Sequence, residues 1–508
     1  MNVGFQNTLI SNVPDPYCSD LEVMLQVNSY AVLKPSGNSG ISYSGSKLTK
    51  LWNYFQVYKF NDVLRKSLSR SFAEKIRNDK WMVVGLGELD GKEYWFFHPA
   101  SQKYQSKISV SKNWIIPTLG NSIRKDGWAT FPFGLLDEEL LQAFDQVFPV
   151  FSGDRFSPSH EVLSNLIKQV QSLEFTPVDQ VFTVEKSFEL EKIQKTKSAK
   201  EAVLFGYGNY ARTITLPYLR PYVELARVHE VDPSLFINSK LSSVSTSPYS
   251  DDEDSKFPVW LIAGFHHTHA QLAISALEKG VIPVIEKPIA TTWEDYQQFV
   301  KVAGEMKTPF FQCFQKRYQI YNEFLREDLK VQHGDPIHFK ATVFEIPLDK
   351  YHWYNWPVSG SRIISNGCHW IDHFLYLNDY CDWSGFQVDQ LTKEDLVIQI
   401  KLVNGASGII TLSDTGSNRI GMREYVEFSV PGRRAFVKDS LLYQSESNEK
   451  IIRTYKTDKL AYLRKMYKEI GKKIHQGSSG DDLKTLKSTK LCLEIEDKLK
   501  TQNSEYHK

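Results

Sequence analysis

The hydrophobic pattern changes character twice along the chain. Up to about residue 195, short apolar and aromatic runs are mixed with polar residues, and 185–200 is charged and lysine-rich. From about 200 to 310, short apolar runs alternate with segments of helix length, as in a parallel sheet with crossover helices. Beyond about 330, longer alternating strands dominate. We therefore predict an N-terminal α+β domain (1–195), an α/β nucleotide-binding domain (196–315) and an α+β domain with an open, largely antiparallel sheet and a helical C-terminus (316–508).

The second unit begins with a strand, a glycine-rich turn and a helix-compatible segment. An apolar run ends at Phe205 and leads directly into Gly206-Tyr207-Gly208-Asn209-Tyr210-Ala211. In a βαβ unit the first glycine permits the tight turn, the second lets the backbone approach a pyrophosphate, and the small third position keeps the helix near the sheet. A second apolar-leaning run ends at Asp232, where a carboxylate can bind a ribose 2′-hydroxyl. This order predicts a Rossmann dinucleotide-binding domain.

Another Gly-x-Gly lies in the N-terminal unit, within the apolar run 81–87. Asp90-Gly91 separates that run from the aromatic run 93–97, and Asp-Gly between two such runs is typical of a β-hairpin. We therefore predict two antiparallel strands here and no second nucleotide site. Helices are expected over 136–144 and from Ser157.

Charge and cysteine usage exclude several classes of protein. The 508 residues carry a formal net charge of +1, so no overall field favours nucleic acid or an anionic membrane. No apolar run approaches the roughly 18–20 residues that span a bilayer, and the N-terminus does not resemble a secretory signal. The five cysteines are scattered without a C-x-x-C pair, so neither a disulfide framework nor a cysteine zinc site is expected. We expect a cytoplasmic protein.

Candidate functional side chains also follow two further predicted strands. One apolar run is followed by Phe265-His266-His267-Thr268-His269, and the run 281–285 ends in Glu286-Lys287-Pro288. Ligands of open α/β sheets bind beyond the carboxyl ends of the strands. A lysine there could contact a ribose or polarise a substrate oxygen. Imidazole clusters also bind zinc, but no acid or cysteine lies at ligand spacing, so no metal is expected.

These motifs together resemble the glucose–fructose oxidoreductase / inositol dehydrogenase / MocA-like (Gfo/Idh/MocA) family over about residues 200–500. The resemblance implies NAD(P)-dependent oxidation or reduction, usually of sugars, polyols or sugar-derived compounds. The later motifs that carry it are Phe314-Gln315-Lys316-Arg317-Tyr318, Ser365-Asn366-Gly367-Cys368-His369-Trp370-Ile371-Asp372 and Asn404-Gly405-Ala406-Ser407-Gly408.

The resemblance also implies roles for single residues. Lys287 resembles the active-site lysine, His369 the proton-transfer histidine and Asp372 the acid that holds substrate hydroxyls. Removing a carbinol proton needs a base, and imidazole has a suitable pKa. One departure is Ser365, because many members carry an acid four residues before the histidine. The residues expected to bind the cofactor are Gly206, Gly208, Asn209, Tyr210, Ala211, Asp232, His266, His269, Glu286 and Lys287.

Our hypothesis is an NAD(P)-dependent oxidoreductase acting on CH–OH of a carbohydrate-like small molecule. NAD is preferred to NADP because Asp232 would repel a 2′-phosphate, and Glu230 competes for this role if the strand ends earlier. The alternative is a non-catalytic dinucleotide- or sugar-sensing regulatory protein on the same scaffold. A third hypothesis is an enzyme that reduces an imine or another C=N bond.

The sequence leaves three further questions about role. The aromatic segment 352–357 is either the floor of a sugar site or plain core. The C-terminal sheet is a candidate surface for a homo-oligomer. The N-terminal domain is expected to modulate substrate access or assembly.

Overall fold

The computed structural model describes most of the chain beyond residue 198 and six strands before it. Within the described residues, no helix combines the length and the apolar character needed to cross a membrane. The described ranges are 199–230, 243–245, 248–348, 354, 357–392, 395–417 and 421–506.

The six N-terminal strands form one antiparallel sheet, in the order β1-β4-β3-β2-β5, with β6 paired to β2. β3 and β4 are joined by two residues, since Leu89 pairs with Lys92. The predicted hairpin is therefore confirmed, and its Gly-x-Gly is part of a strand. The helices expected over 136–144 and from Ser157 lie outside the described residues. The strands are Leu9–Ile10 (β1), Glu22–Leu33 (β2), Lys80–Leu89 (β3), Lys92–Ser101 (β4), Asn113–Pro117 (β5) and Thr176–Pro177 (β6).

The second sheet is parallel throughout and has the order β12-β11-β10-β7-β8-β9. The chain leaves β7 towards β8 on one side and later returns to β10 on the other. This reversal opens a crevice beyond the carboxyl ends of β7 and β10, which is where such sheets bind ligands. The predicted Rossmann domain is confirmed. Its strands are Lys200–Phe205 (β7), Val223–His229 (β8), Val244–Ser245 (β9), Val259–Ile262 (β10), Ile282–Ile285 (β11) and Phe311–Gln312 (β12).

The helix after β7 is short and begins with a π-helical turn. Ala211–Thr215 forms this turn, and Leu216–Leu219 (α1) continues as α-helix. The Leu216 N–H donates to the Ala211 carbonyl, five residues back. Pro217 follows, which has no N–H to donate and whose ring would crowd the preceding turn, so the wider turn accommodates it. The other helices of this domain are His269–Glu278 (α2) and Trp293–Glu305 (α3).

The third sheet has eight strands in the order β14-β15-β16-β13-β17-β18-β19-β20. Only β13 and β16 are parallel neighbours, so the predicted open, largely antiparallel sheet is confirmed. Helices Tyr321–Leu329 (α4) and Cys368–Leu377 (α5) pack on it. Its strands are His338–Phe344 (β13), Trp383–Gln390 (β14), Asp395–Leu402 (β15), Ser407–Ser413 (β16), Arg423–Val430 (β17), Arg433–Lys438 (β18), Leu442–Ser447 (β19) and Ile451–Lys456 (β20).

The two C-terminal helices pack into different hydrophobic cores. Ala461–Gln476 (α6) buries Met466 and Ile470 in the cluster that covers the Rossmann sheet. Lys487–Tyr506 (α7) buries Leu491 among side chains of the eight-stranded sheet and α5. A single division of the chain near residue 315 therefore does not separate the two cores, because α6 returns to complete the first one.

Candidate functional site

The glycine-rich turn has the geometry of a nucleotide-binding loop. Gly206 has a φ of +94°, and a Cβ placed there would lie 2.5 Å from the Cα of Gly264. Both the left-handed backbone and the close approach therefore require glycine. A Cβ on Gly208, in contrast, would meet no protein atom within 4 Å. This open space at the start of the helix suits a pyrophosphate.

The residues after the two glycines begin the helix. Asn209 and Tyr210 are exposed, whereas Ala211 is buried against the sheet. The Asn209 carbonyl accepts a hydrogen bond from the Thr213 hydroxyl, 2.7 Å away. The exposed residues are thus placed beside the open space, and Ala211 has the packing role expected of the third small position.

The carboxylate at the end of β8 belongs to Glu230. The strand ends at His229, and the Glu230 Oε2 accepts a hydrogen bond from the Tyr207 N–H at 2.6 Å. A carboxylate in this place can hold ribose hydroxyls beside the glycine loop. Asp232, the first candidate from the sequence, lies outside the described residues. Because β8 ends at His229, Glu230 is favoured over Asp232 as the acid that binds the ribose.

Lys287 connects the Rossmann domain to the domain of the eight-stranded sheet. Its Nζ donates to the main-chain carbonyl of Ser365 at 2.8 Å and lies 5.7 Å from the centre of the Tyr354 ring. Burial alone would lower the pKa of Lys287, but Tyr354, Cys368 and Glu286 raise it above its ordinary value. The side chain is therefore an ammonium group, able to donate to a substrate oxygen.

His369 lies one turn beyond this contact. Ser365 belongs to a π-helical turn, Ile363–Gly367, which leads directly into α5 and His369. The imidazole is 7% exposed, and its Nδ1 has no hydrogen-bond partner among the described residues. Burial, together with the charges of Lys287 and Lys316, holds the pKa of His369 well below its ordinary value. The ring is therefore neutral near pH 7 and able to accept a proton.

Asp372 has different surroundings from those expected. It is 0% exposed and receives the Arg317 guanidinium through Nε and Nη2, at 3.0 and 2.6 Å. The hydroxyl of Ser488 donates to the same carboxylate at 2.7 Å. The expected substrate-binding role of Asp372 finds no support here, because its oxygens are engaged within the protein. The carboxylate instead ties α5 to α7 and to the segment after β12.

The histidine cluster at the end of β10 is structural in part. His269 is buried, with Nδ1 2.7 Å from the Pro288 carbonyl and Nε2 3.3 Å from that of Gly264, and burial lowers its pKa to about 4. These contacts join two strand ends, so a direct cofactor contact from His269 is not supported. His266 places its Nδ1 3.1 Å from the Ser359 carbonyl and its ring 4.6 Å from that of Tyr354. His266 therefore contacts residues of the segment that leads into the domain of the eight-stranded sheet.

Glu286 is the centre of a buried polar cluster that the sequence did not reveal. The Tyr467 hydroxyl, on α6, donates to its Oε1 and accepts a hydrogen bond from the Thr215 hydroxyl at 3.0 Å. Burial, offset in part by Tyr467 and Lys287, raises the pKa of Glu286 to about 7. Tyr467 was missed because helix periodicity places it on a buried face without indicating which strand end that face meets.

One further group of ligand-type side chains lies beside β8. His229, Asp251 and Asp254 converge, with the His229 Nε2 3.0 Å from the Asp254 Oδ1. The Arg227 guanidinium makes two hydrogen bonds to Asp251 and lies 3.4 Å from Asp254. The arginine thus offsets one of the two negative charges, and both carboxylates are already engaged by side chains of the protein.

Sequence comparison agrees with the loop geometry. The profile described as "Oxidoreductase family, NAD-binding Rossmann fold", of the Gfo/Idh/MocA type, matches residues 201–313. Residues 201–313 are a Gfo/Idh/MocA NAD-binding domain. The matched range spans all the strand ends described above. A search of the curated proteins gave no match.

Solved structures resemble about three fifths of the chain. Levoglucosan dehydrogenase in complex with NADH is 16% identical, with a TM-score of 0.50 covering 59% of this chain and 96% of that one. A Gfo/Idh/MocA family oxidoreductase from Vibrio cholerae is 14% identical, with a TM-score of 0.48, covering 60% of this chain and 100% of that one. An oxidoreductase domain protein from Kribbella flavida is 13% identical, with a TM-score of 0.48, covering 60% and 98%. At 16% identity, the likeness to levoglucosan dehydrogenase shows the fold alone.

Proposed function

We propose that the protein is an NAD-dependent oxidoreductase that transfers hydride between the nicotinamide and a CH–OH carbon of a sugar, polyol or sugar-derived molecule. The observation that carries the proposal is the contact between the Lys287 ammonium and the Ser365 carbonyl. It brings a cation at the end of β11 to the turn that leads into His369. A donor and a neutral base thus belong to one connected site at the carboxyl edge of the Rossmann sheet.

The residues present fit the cofactor. The open space over Gly208 and the helix start at Asn209 suit the pyrophosphate, and Glu230 beside the Tyr207 N–H suits a ribose. When bound, the nicotinamide supplies the hydride acceptor or donor. The protein's part is to orient the reacting groups and to move the proton.

The two candidate catalytic residues divide the remaining work. Lys287, as an ammonium group, donates to the substrate oxygen and stabilises the charge that develops there. His369, as a neutral imidazole, accepts the hydroxyl proton in oxidation and returns it in reduction. Asp372 is a positioning residue, because its pairing with Arg317 fixes the helix that carries His369.

Substrate choice is tested with a panel. The relative solved with NADH and levoglucosan gives the starting point, so the panel begins with anhydrosugars and extends to free sugars, polyols and nucleotide sugars. The full-length protein is mixed with NAD+ and each compound, and NADH formation is followed by absorbance. Turnover that is lost in both Lys287→Ala and His369→Ala supports the assigned roles. Full activity in either variant would contradict the role of that residue.

The second candidate function is a non-catalytic dinucleotide or sugar sensor. It is favoured by Ser365, which places no acid before His369, and by the engagement of Asp372 with Arg317. The imidazole therefore lacks a carboxylate partner from either of these positions. NADH fluorescence that changes on binding, without any turnover across the panel in either direction, would favour this alternative.

A further inference from the structure

A line of hydrogen-bonding side chains runs from the buried Glu286 to Tyr210, a residue of the glycine-rich turn. The Tyr467 hydroxyl contacts the Glu286 Oε1 and lies 3.3 Å from the hydroxyl of Tyr210. Glu286 and Tyr467 are buried, whereas Tyr210 is 39% exposed. Three elements are joined in this way: the end of β11, α6, and the helix that follows the glycine-rich turn.

The number of hydrogens restricts how this line can be arranged. A tyrosine hydroxyl has one hydrogen, so Tyr467 donates to Glu286 or to Tyr210 but not to both. When Glu286 is ionised, Tyr467 donates to the carboxylate, and the two tyrosines are hydrogen-bonded only if Tyr210 donates inward. When Glu286 is protonated, the carboxyl donates to Tyr467, which donates to Tyr210. The hydrogen of Tyr210 then points outward.

We propose that Glu286, Tyr467 and Tyr210 form a proton relay that couples protonation of the buried carboxyl to dinucleotide binding. The relay rests on the proposed cofactor site, because Tyr210 stands next to Asn209 at the start of the helix that faces it. In the protonated arrangement Tyr210 donates to an acceptor oxygen of the dinucleotide. Binding near neutral pH therefore raises the protonated fraction of Glu286, the proton comes from solvent, and only O–H bonds change.

The pH range of the coupling follows from the groups around Glu286. Its own pKa is raised to about 7 by burial, so the carboxyl is protonated below that pH and ionised above it. Affinity for the dinucleotide should fall as the pH rises through 7, since the protonated form binds more tightly. The titratable groups that face the relay are Lys287 at the end of β11, Cys313 after β12, Tyr462 on α6 and His269, and Asp481 lies beyond Cys313.

The titration of Glu286 can be distinguished from that of these neighbouring groups. Burial raises the pKa of Cys313 and of Tyr467 well above their ordinary values, and it lowers that of His269 to about 4. Burial also raises the pKa of Asp481, but this carboxylate is held by the Gln312 N–H at 2.7 Å and by Arg317 at 3.5 Å. Substitution of Tyr467 leaves these contacts of Asp481 in place, so the two titrations can be separated.

The test is calorimetric titration of the full-length protein with NADH and with ADP-ribose, in two buffers of different ionisation enthalpy. If the outward hydrogen bond is worth a factor of ten, the dissociation constant is about fivefold lower at pH 6 than at pH 8. Near pH 7.5, about half a proton is then taken up per ligand. The same pH dependence with both ligands places the acceptor oxygen on the ADP-ribose part that they share, and dependence with NADH alone places it on the nicotinamide carboxamide.

Three variants isolate the relay. Tyr467→Phe and Tyr210→Phe should abolish proton uptake and flatten the pH dependence, while Glu286→Gln should bind with an affinity that does not vary with pH. Tyr443→Phe is the matched control, because it also removes a buried hydroxyl, one that contacts Asp328 at 2.9 Å in the other domain. It should keep the wild-type pH dependence.

The outcomes separate the relay from the cofactor site. Equal affinity of the wild-type protein at pH 6 and pH 8, or proton uptake that persists in Tyr467→Phe, would overturn the relay alone. Failure to bind either ligand at any pH would overturn the cofactor site and the relay with it. If Glu286→Gln does not fold, the two tyrosine variants still decide the question.

Discussion

Lys287 and Ser365 are joined by a hydrogen bond from an ammonium group to a main-chain carbonyl, 2.8 Å long. Because the acceptor is a backbone atom, the contact does not depend on which side chain occupies position 365. A serine at 365, where the resemblance implies an acid, is therefore compatible with the placement of Lys287. What it removes is a negative charge near His369, and this bears on proton transfer rather than on the architecture of the site.

Lys287→Met tests the lysine. Turnover should fall by about a hundredfold or more, because the donor to the reacting oxygen is lost, while NADH affinity should change little. The pKa of His369 should rise, since Lys287 is one of the charges that hold it down. Steady-state kinetics, NADH titration and NMR titration of the imidazole measure these effects. Lys301→Met, at an exposed position on α3, is the control, and an active Lys287→Met would refute the role.

His369→Ala tests the base. Turnover should fall by about 10²–10⁴-fold. In the wild-type protein the pKa of His369 lies well below its ordinary value, so oxidation should be lost only at acid pH, as the ring becomes protonated. In Lys287→Met the residual activity should fail at a higher pH. His333→Ala is the control, since that side chain is 78% exposed. A pH profile that is the same with and without His369 would assign the proton transfer elsewhere.

The two glycines of the loop should respond differently to alanine. In Gly206→Ala the new Cβ meets the Gly264 backbone at a φ of +94°, so unfolding should occur at a lower temperature, with a loss of about 1–2 kcal/mol or more. Gly208→Ala fills open space, so stability should be retained while NADH binding weakens. Thermal unfolding and fluorescence titration of both variants give the comparison. Unchanged NADH affinity in Gly208→Ala would place the pyrophosphate elsewhere.

Much of this arrangement could be predicted from local sequence. The strand ends at Phe205 and Ile285 follow from apolar runs that stop at a glycine and at a charged residue, and the parallel order follows from the alternation with helices. The hairpin at Asp90-Gly91 follows from turn chemistry. Each of these signals is contained within a few consecutive residues.

Long-range pairings could not be predicted. Nothing local to Asp372 indicates that its carboxylate meets Arg317, and nothing local to Tyr467 indicates that α6 returns to the Rossmann sheet. In both cases the partner is selected by tertiary packing, whereas the periodicity of a helix only indicates that a side chain faces inward. The substrate-binding role that the resemblance implies for Asp372 stays a prediction, and the engagement of its carboxylate with Arg317 speaks against it.

Asp372→Ala should act on stability more than on substrate binding. Removing the carboxylate leaves the buried Arg317 with Asp481 at 3.5 Å as its nearest remaining acid, so a loss of about 3 kcal/mol is expected. Urea unfolding measures it, and Asp372→Asn should lose less because the amide keeps part of the hydrogen bonding. A variant as stable as wild type but with a greatly raised KM would restore the substrate role.

Cofactor choice should depend on Glu230. This carboxylate follows β8 directly and accepts the Tyr207 N–H at 2.6 Å, so it is placed to bind a free ribose 2′-hydroxyl and to repel a 2′-phosphate. The wild-type protein should therefore bind NADH more tightly than NADPH. In Glu230→Ala, NADH affinity should fall by about tenfold as a charge-assisted hydrogen bond is lost, and the discrimination against NADPH should shrink.

Asp232→Ala is the matched comparison, because it removes a second acid two residues further along the chain. If Glu230 sets the preference, this variant should keep the wild-type ratio of the NADH and NADPH dissociation constants. Loss of discrimination in Asp232→Ala with the ratio retained in Glu230→Ala would return the role to Asp232. Tighter binding of NADPH by the wild-type protein would exclude both acids, since neither carboxylate could then face the 2′-position.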